Sequence, residues 1–332
     1  MKVVVLGKPG GITRLTEDIA EDFRIGQHTV SVLATRNPAL NRSLERILLN
    51  PRFGAPLAAW TARRVKHIAP DLMLAVGVLG QFSATMMEHL AALPGRPPLI
   101  GWIGDVFTER DAAVANCFDI ICYTDTGMVA MHAQLGFRSK AVFLPLGASR
   151  GLPTQDAPGP RSLMLAIAAA PTPERRDLLA QISEPINIFG PGWQAKGMEV
   201  LSHHKRDARR IDAPELAKIY ARHMGALNIR NEINVINGLN QRHFAPYTLG
   251  TPVITDSLPD ISTCFDPGHE ILVYRDAPEL NEIYAALRRD PSKAAAIGAA
   301  GQRRVLAQHT YSHRLLDIAN MIGIKTEKIR SA

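Results

Sequence analysis

At 332 residues, with 46% hydrophobic and 21% charged side chains and no low-complexity tract, the chain can bury two cores of ordinary size, which excludes a disordered or collagen-like molecule. A formal charge of +7 favours anionic partners without choosing among phosphorylated metabolites, lipid headgroups and nucleic acid. Cys117, Cys122 and Cys264 are odd in number and follow no metal-binding spacing, which excludes a disulfide framework and fits a reducing compartment.

Residues 1–7 carry one lysine and a short apolar run, too short for a secretory signal or a membrane span, so the expected location is the cytoplasm. Residues 2–7 read as a buried strand. Residues 16–23 show helical spacing after the loop KPGGITR, and 28–34 return to β character, giving a βαβ start. Gly10 and Gly11 in that loop either let a ligand approach the backbone or make a tight turn. The order G-x-x-G-G is neither the dinucleotide fingerprint nor a P-loop, so those ligands are disfavoured. Over residues 41–68, Arg42, Arg46, Arg52, Arg63, Arg64 and Lys66 stand against the single acid Glu45 and alternate with Leu44, Ile47, Leu48, Leu49, Phe53, Leu57 and Trp60. This mixture suits an interfacial helix, a wall for an acidic acceptor, or a core-facing helix with a solvated basic side. Aromatic residues are sparse and no nucleic-acid signature occurs, so no nucleic-acid partner is expected.

Further buried runs at 72–76, 99–103, 120–123 and 141–144 alternate with helical segments, the pattern of a doubly wound parallel sheet. Asp105 lies just beyond the run 99–103, where its carboxylate either orients or deprotonates an acceptor hydroxyl or caps the next helix. Residues 147–160 read as a linker. A second series follows, with strands at 163–168, 186–189, 226–229, 252–255 and 271–274 and helices at 174–181, 214–223 and 241–249. Residues 277–307 are expected to be helical with breaks at Asp290-Pro291 and Gly301, and a last helix covers 312–321. The expected domains are 1–155 and 156–315, each α/β, with 316–332 a C-terminal helix and tail packing back on the first. Ligands of such sheets bind beyond the carboxyl ends of the strands.

In the second series FGPGW places Gly190 and Trp193 after a strand, where the indole either stacks on a base or covers the core. Asn240, Arg242 and His243 sit where the helix at 241–249 would begin, an end that favours anions. His203 and His204 are adjacent, and His309 and His313 are four apart without a carboxylate at matching spacing. With no HExxH or D-x-D motif, no metal is expected.

The order of segments resembles the GT-B glycosyltransferases, and more narrowly the CgeB-like group, over nearly the whole chain. KVVVLGKPGG, PDLMLAVG, PLIGWIGDVF and FLPLG are similar to the family's first domain. INIFGPGW, GLNQRHFAPYTLGTPVITD, DPGHEILVYRDAPEL and GQRRVLAQHTYSHRL are similar to its second. The resemblance implies two Rossmann-like domains facing a cleft. It also implies metal-independent, hexosyl-type transfer from a nucleotide diphosphate sugar to a hydroxyl on a glycan, a lipid-linked acceptor or a protein, as in polysaccharide biosynthesis. No separate cofactor is implied, and the basic and apolar segment around Arg42 to Lys66 adds the expectation of a membrane-proximal acceptor, with the cytoplasmic protein in peripheral contact with the inner face of the membrane. The donor would lie mainly on the second domain, with Gly190 and Trp193 near the base, Asn240, Arg242, His243 and Arg175 near the diphosphate, and Thr251 with the strand behind them. Gly10 and Gly11 would line the first domain's loop, and Asp105 and Arg242 would carry the chemistry. The family's Arg-x-Phe-Glu is here Arg242-His243-Phe244-Ala245, and the position of a second acid is Asn237. The alternatives are therefore a retired scaffold, a nucleotide-binding partner protein, or a sugar-nucleotide epimerase.

Overall fold

The computed structural model describes residues 1–8, 14–35, 51–150 and 160–324. The chain forms two compact units, one from Met1–Leu146, Asn234–Gly238 and Tyr311–Ala332, the other from Gly147–Ile233 and Leu239–Thr310.

The first unit runs β1 (Lys2–Gly7), α1 (Leu15–Ile25), β2 (Thr29–Ala34), α2 (Pro51–Ile68), β3 (Leu72–Gly77), α3 (Ala84–Ala91), β4 (Leu99–Ile103), α4 (Ala112–Ala115), β5 (Ile120–Tyr123), α5 (Thr126–Gln134) and β6 (Lys140–Phe143). Its sheet is parallel in the order β2-β1-β3-β4-β5-β6. The central strands VVVL, LMLAV and LIGWI are buried along their length because a parallel sheet carries helices on both faces, so its strands lack polar alternation. Met73, Ala75, Ile103, Ile121 and Tyr123 form one core with Ala58, Ala62 and Val65 of α2. Each fully buried Val, Ile or Met side chain there contributes about 1.5–3 kcal/mol, and each alanine less.

The second unit runs β7 (Ser162–Ala168), α6 (Pro173–Leu179), β8 (Asn187–Phe189), β9 (Lys205–Asp207), α7 (Ala213–Arg222), β10 (His223–Asn228), β11 (Val253–Asp256), α8 (Ile261–Cys264), β12 (Leu272–Tyr274), α9 (Ala277–Arg289) and α10 (Pro291–Gln308). Its parallel sheet has the order β12-β11-β10-β7-β8-β9. The expected pair of doubly wound sheets is therefore present. Three local differences have clear causes. Edge strand β9 reads KRD, which gives no apolar signal. The helix expected at 241–249 is two short 3₁₀ turns, Gln241–His243 and Ala245–Leu249, because Pro246 has no N–H to give and its ring crowds the carbonyl of Arg242. The break expected at Gly301 does not occur. There α10 runs straight past Tyr247, into whose ring a Cβ at Gly301 would collide. The break at Asp290-Pro291 does occur, with Asp290 Oδ1 accepting from the Ser292 N–H at 3.2 Å and Pro291 at the first helical position.

Two buried carboxylates fasten distant chain segments in the first unit. Asp22 of α1 accepts from the Ser312 backbone N–H (2.6 Å) and hydroxyl (2.8 Å), so it caps α11 (Tyr311–Met321) where helical N–H groups lack partners. Asp125, at the start of α5, takes Gly127 N–H (2.7 Å) and Met128 N–H (3.3 Å) on Oδ1. Its Oδ2 takes Ile236, Asn237 and Gly238 N–H at 2.8, 2.9 and 2.8 Å. Among the described residues, no helix is long and apolar enough to cross a membrane.

Candidate functional site

In the second unit the chain starts at β7, moves outward through β8 and β9, and returns on the other side of β7 with β10. The carboxyl ends of β7 and β10 thus flank the point where strand order reverses, which is where open α/β sheets bind ligands. Two guanidinium groups occupy that place. Thr172 Oγ1 caps the first turn of α6 by accepting from Arg175 N–H at 3.3 Å, which aims the Arg175 side chain at the reversal. There Nε and Nη2 donate to Ile229 O beyond β10 (3.0 and 2.9 Å) and Nη1 donates to Ala170 O beyond β7 (2.8 Å). Arg175 is 4% exposed. Burial, with the Arg242 charge adding to it, lowers its pKa to about 10, so it remains a cation at neutral pH.

Arg242 is held from the same side. Its Nε donates to Asn228 Oδ1 at the end of β10 (3.0 Å) and its backbone N–H to Asn240 Oδ1 (2.9 Å). Among the described residues, no protein acceptor meets its two Nη groups, and neither Arg242 nor Arg175 stands in an ion pair with a carboxylate. The acid at the end of β11 is already engaged: Asp256 accepts from Arg230 N–H at 3.1 Å and faces Arg230 Nε at 3.3 Å. The arrangement is a pair of guanidinium groups without an ion-pair partner among the described residues, a chemistry complementary to an anion.

Arg242 is positioned by a buried polar chain. The His243 ring is fully buried; Nδ1 accepts from Asn240 N–H (3.0 Å) and Nε2 faces Thr255 Oγ1 (3.0 Å). The Asn228 amide nitrogen lies 2.9 Å from His243 Nε2, while its oxygen accepts from Arg242. Burial, reinforced by the Arg242 charge, lowers the His243 pKa to about 3, so the ring is neutral and acts as a strut. Sequence reasoning placed His243 against the ligand, and burial corrects that. Asn228 was missed; the signal was a lone amide closing the apolar run of β10.

The remaining predicted residues divide. Gly190 has φ +125°, and a Cβ there would stand 2.9 Å from Ala169 O, so only glycine lets the loop after β8 lie against the loop after β7. Asn240 caps the first 3₁₀ turn beside Arg242. Trp193 is in the core with its Nε1–H on Ala169 O at 2.6 Å, so its face is not available to a base. Thr251 is corrected too. It precedes β11 at the amino end of the sheet, fully buried, donating to Tyr220 O (2.8 Å) and accepting from Arg161 Nη1 (2.9 Å). Gly10 and Gly11 lie outside the described residues.

Asp105, in the first unit, stands two residues beyond β4 and is half-buried. It is not a helix cap, because Thr108 caps the following 3₁₀ turn together with Asp111. Burial raises its carboxyl pKa to about 6, the range of a general base working near neutral pH. Among the described residues no three His, Cys, Asp or Glu side chains gather as metal ligands.

Residues 173–320 match a family described as "Glycosyl transferase-like". No curated protein sequence matches the chain. Among solved structures, HepE from Anabaena in complex with UDP is 16% identical, with 97% of this chain and 100% of that one covered and a TM-score of 0.64. HepE has also been solved with UDP-glucose. The sucrose-phosphate synthase from Thermosynechococcus elongatus is 13% identical over 97% of this chain and 98% of that one, with a TM-score of 0.67. A glycosyltransferase from Rickettsia africae is 10% identical over 96% and 97%, with a TM-score of 0.62. The chain has the two-sheet α/β architecture of the GT-B glycosyltransferases.

Proposed function

We propose that the protein is a glycosyltransferase that moves a hexosyl group from a nucleotide diphosphate sugar to a hydroxyl on a glycan, lipid-linked or protein acceptor. The observation that carries this reading is the pair Arg175 and Arg242, two guanidinium groups that among the described residues have no carboxylate partner, at the strand-order reversal of the second sheet. Arg242 would contact the diphosphate through its free Nη groups. Arg175, spent largely on backbone carbonyls, would add charge from behind. Fixed cations of this kind stabilise a leaving diphosphate as its charge develops, in place of a metal. The segments RHFAPYTLGTPVITD and FGPGW support a narrower affinity with the CgeB-like group and its roles in polysaccharide biosynthesis. HepE's complexes make UDP and UDP-sugars the first donors to test.

Calorimetric titration with UDP, GDP, ADP, CMP and their sugar conjugates, with a chelator present, is expected to show selective binding of one diphosphate family. A folded protein that binds none of them would favour the retired scaffold, for which Ala245 in place of the acid is the supporting observation.

Asp105 is assigned the acceptor proton. Its carboxylate must be unprotonated to take that proton, and with its pKa raised to about 6 by burial, transfer should rise as pH passes upward through about 6 and level off above it. Asp105→Asn should remove that limb from the pH–rate profile. An unchanged profile in the variant would take Asp105 out of the proton step.

A further inference from the structure

Resting on the transferase reading above, we infer that Asp256 is a sugar-binding residue whose carboxylate accepts hydrogen bonds from hydroxyls of the donor's hexosyl group and so selects neutral, hydroxyl-bearing sugars. Asp256 closes β11, and the register with β10 sets Asn228 opposite Thr255. The acid therefore stands one residue beyond the position that holds Arg242 through Asn228. A polar chain joins the two: Asn228 Nδ2 lies 2.9 Å from His243 Nε2, which faces Thr255 Oγ1 at 3.0 Å, and Thr255 Oγ1 lies 3.4 Å from Asp256 Oδ1. The carboxylate is only partly spent. Oδ1 accepts from Arg230 N–H at 3.1 Å. Oδ2 lies 3.3 Å from Arg230 Nε, longer than a charge-assisted hydrogen bond of about 2.7–2.9 Å, and among the described residues it makes no hydrogen bond. Asp119, by contrast, takes Arg96 through both oxygens at 2.6 and 2.7 Å. The Asp256 side chain is 17% exposed, so a ligand hydroxyl can reach an oxygen that burial has largely stripped of water.

Strand order selects which part of the donor meets this acid. β7 and β10 stand side by side at the reversal, with β8 next to β7 and β11 next to β10, and neighbouring strands are about 4.8 Å apart. A donor laid across these ends with its diphosphate at Arg175 and Arg242 extends over β8 in one direction and over β11 in the other. The β8 end, FGPGW, carries no charge and presents backbone around Gly190, which suits a flat base. The β11 end presents Asp256, an acceptor for hydroxyls. The segment 237–245 contains no acid and offers no competing carboxylate. A uronosyl group would bring a second negative charge to the same place, so the sugar class is a neutral hexose.

The test titrates the full chain and its Asp256→Asn variant with UDP, GDP and ADP and with UDP-glucose, GDP-mannose and ADP-glucose. Asparagine keeps an acceptor for Arg230 N–H, and thermal unfolding checks that the variant folds. Affinity for the bare diphosphate should stay within about two-fold of wild type, while affinity for its sugar conjugate should fall about ten- to a hundred-fold, the loss of one charged hydrogen bond. A purely structural role would lower both together. A second measurement needs no variant: among conjugates of the bound base whose sugar lacks a single hydroxyl, at least one should bind wild type about ten-fold more weakly than the parent sugar. Sugar-conjugate affinity unmoved in Asp256→Asn, equal losses for diphosphate and conjugate, or wild-type indifference to every deoxygenated sugar would each overturn the role of Asp256 and leave the transferase reading standing. Wild-type protein that binds none of the diphosphates would overturn both.

Discussion

Replacing Arg242 with alanine is expected to slow sugar transfer about a hundred-fold and to weaken nucleotide diphosphate binding by about ten- to a hundred-fold. Among the described residues the Arg242 side chain meets the protein only through Nε, at Asn228 Oδ1, which would leave both Nη groups for a ligand at the carboxyl end of β10. Removing it deletes charged hydrogen bonds that strengthen as the leaving diphosphate gains charge, so turnover should fall along with affinity. Affinity for the bare nucleoside should stay near wild type, because that ligand carries no charge to lose a partner. Arg242→Lys should lie between, since an ammonium restores charge without the planar fork that reaches Asn228 and the ligand together. A stability cost of about 1 kcal/mol is expected from the orphaned Asn228 oxygen, and thermal unfolding separates that cost from the loss of binding. Near wild-type turnover and diphosphate affinity in Arg242→Ala would remove this residue from the site.

Much of the fold is legible in the sequence itself. The buried runs VVVLG, LMLAVG and LIGWI declare a parallel sheet because both their faces are covered, and the turn chemistry between them marks the helices. Arg242 was legible as a cation beside capping residues. Depth was not legible. His243 and Trp193 are as near to the site in sequence as Arg242 and Gly190, yet both are fully buried, and nothing in a linear string says which side of a loop faces inward. Thr251 follows the site segment closely but belongs to the opposite end of the sheet, a distinction set by the direction of β11. The switch-point role of Arg175 depends on Ile229, a partner 54 residues away, and local pattern carries no information at that range.

Asp125 illustrates the same limit and carries the largest expected loss of stability: Asp125→Ala should destabilise the first unit by about 3–5 kcal/mol. Five backbone N–H groups converge on its two oxygens, and the Oδ2 donors, Ile236, Asn237 and Gly238, lie more than a hundred residues along the chain. Without the carboxylate Met128 N–H keeps the Asp125 carbonyl at 3.2 Å, but Gly127, Ile236, Asn237 and Gly238 N–H lose this acceptor, and each orphan costs about 1–3 kcal/mol unless water or a shift of the segment relieves it. The sharper variant is Asp125→Asn, which keeps the shape and fills the same space. Its NH₂ must point at one of the two donor groups, so a donor faces donors, and asparagine should be nearly as damaging as alanine. If the residue were only a space-filler, asparagine would be close to neutral. The close packing of the segment makes relief by movement costly: a Cβ on Gly238 would collide with the Thr124 carbonyl, and one on Gly127 with the Ile236 side chain. Local hydrogen exchange read by mass spectrometry suits a chain with two units better than a single melting midpoint. Amides 236–238 should exchange at least about a hundred-fold faster in both Asp125 variants, the rate equivalent of about 3 kcal/mol. Asparagine exchanging like wild type would show that charge and acceptor capacity are not what hold this segment.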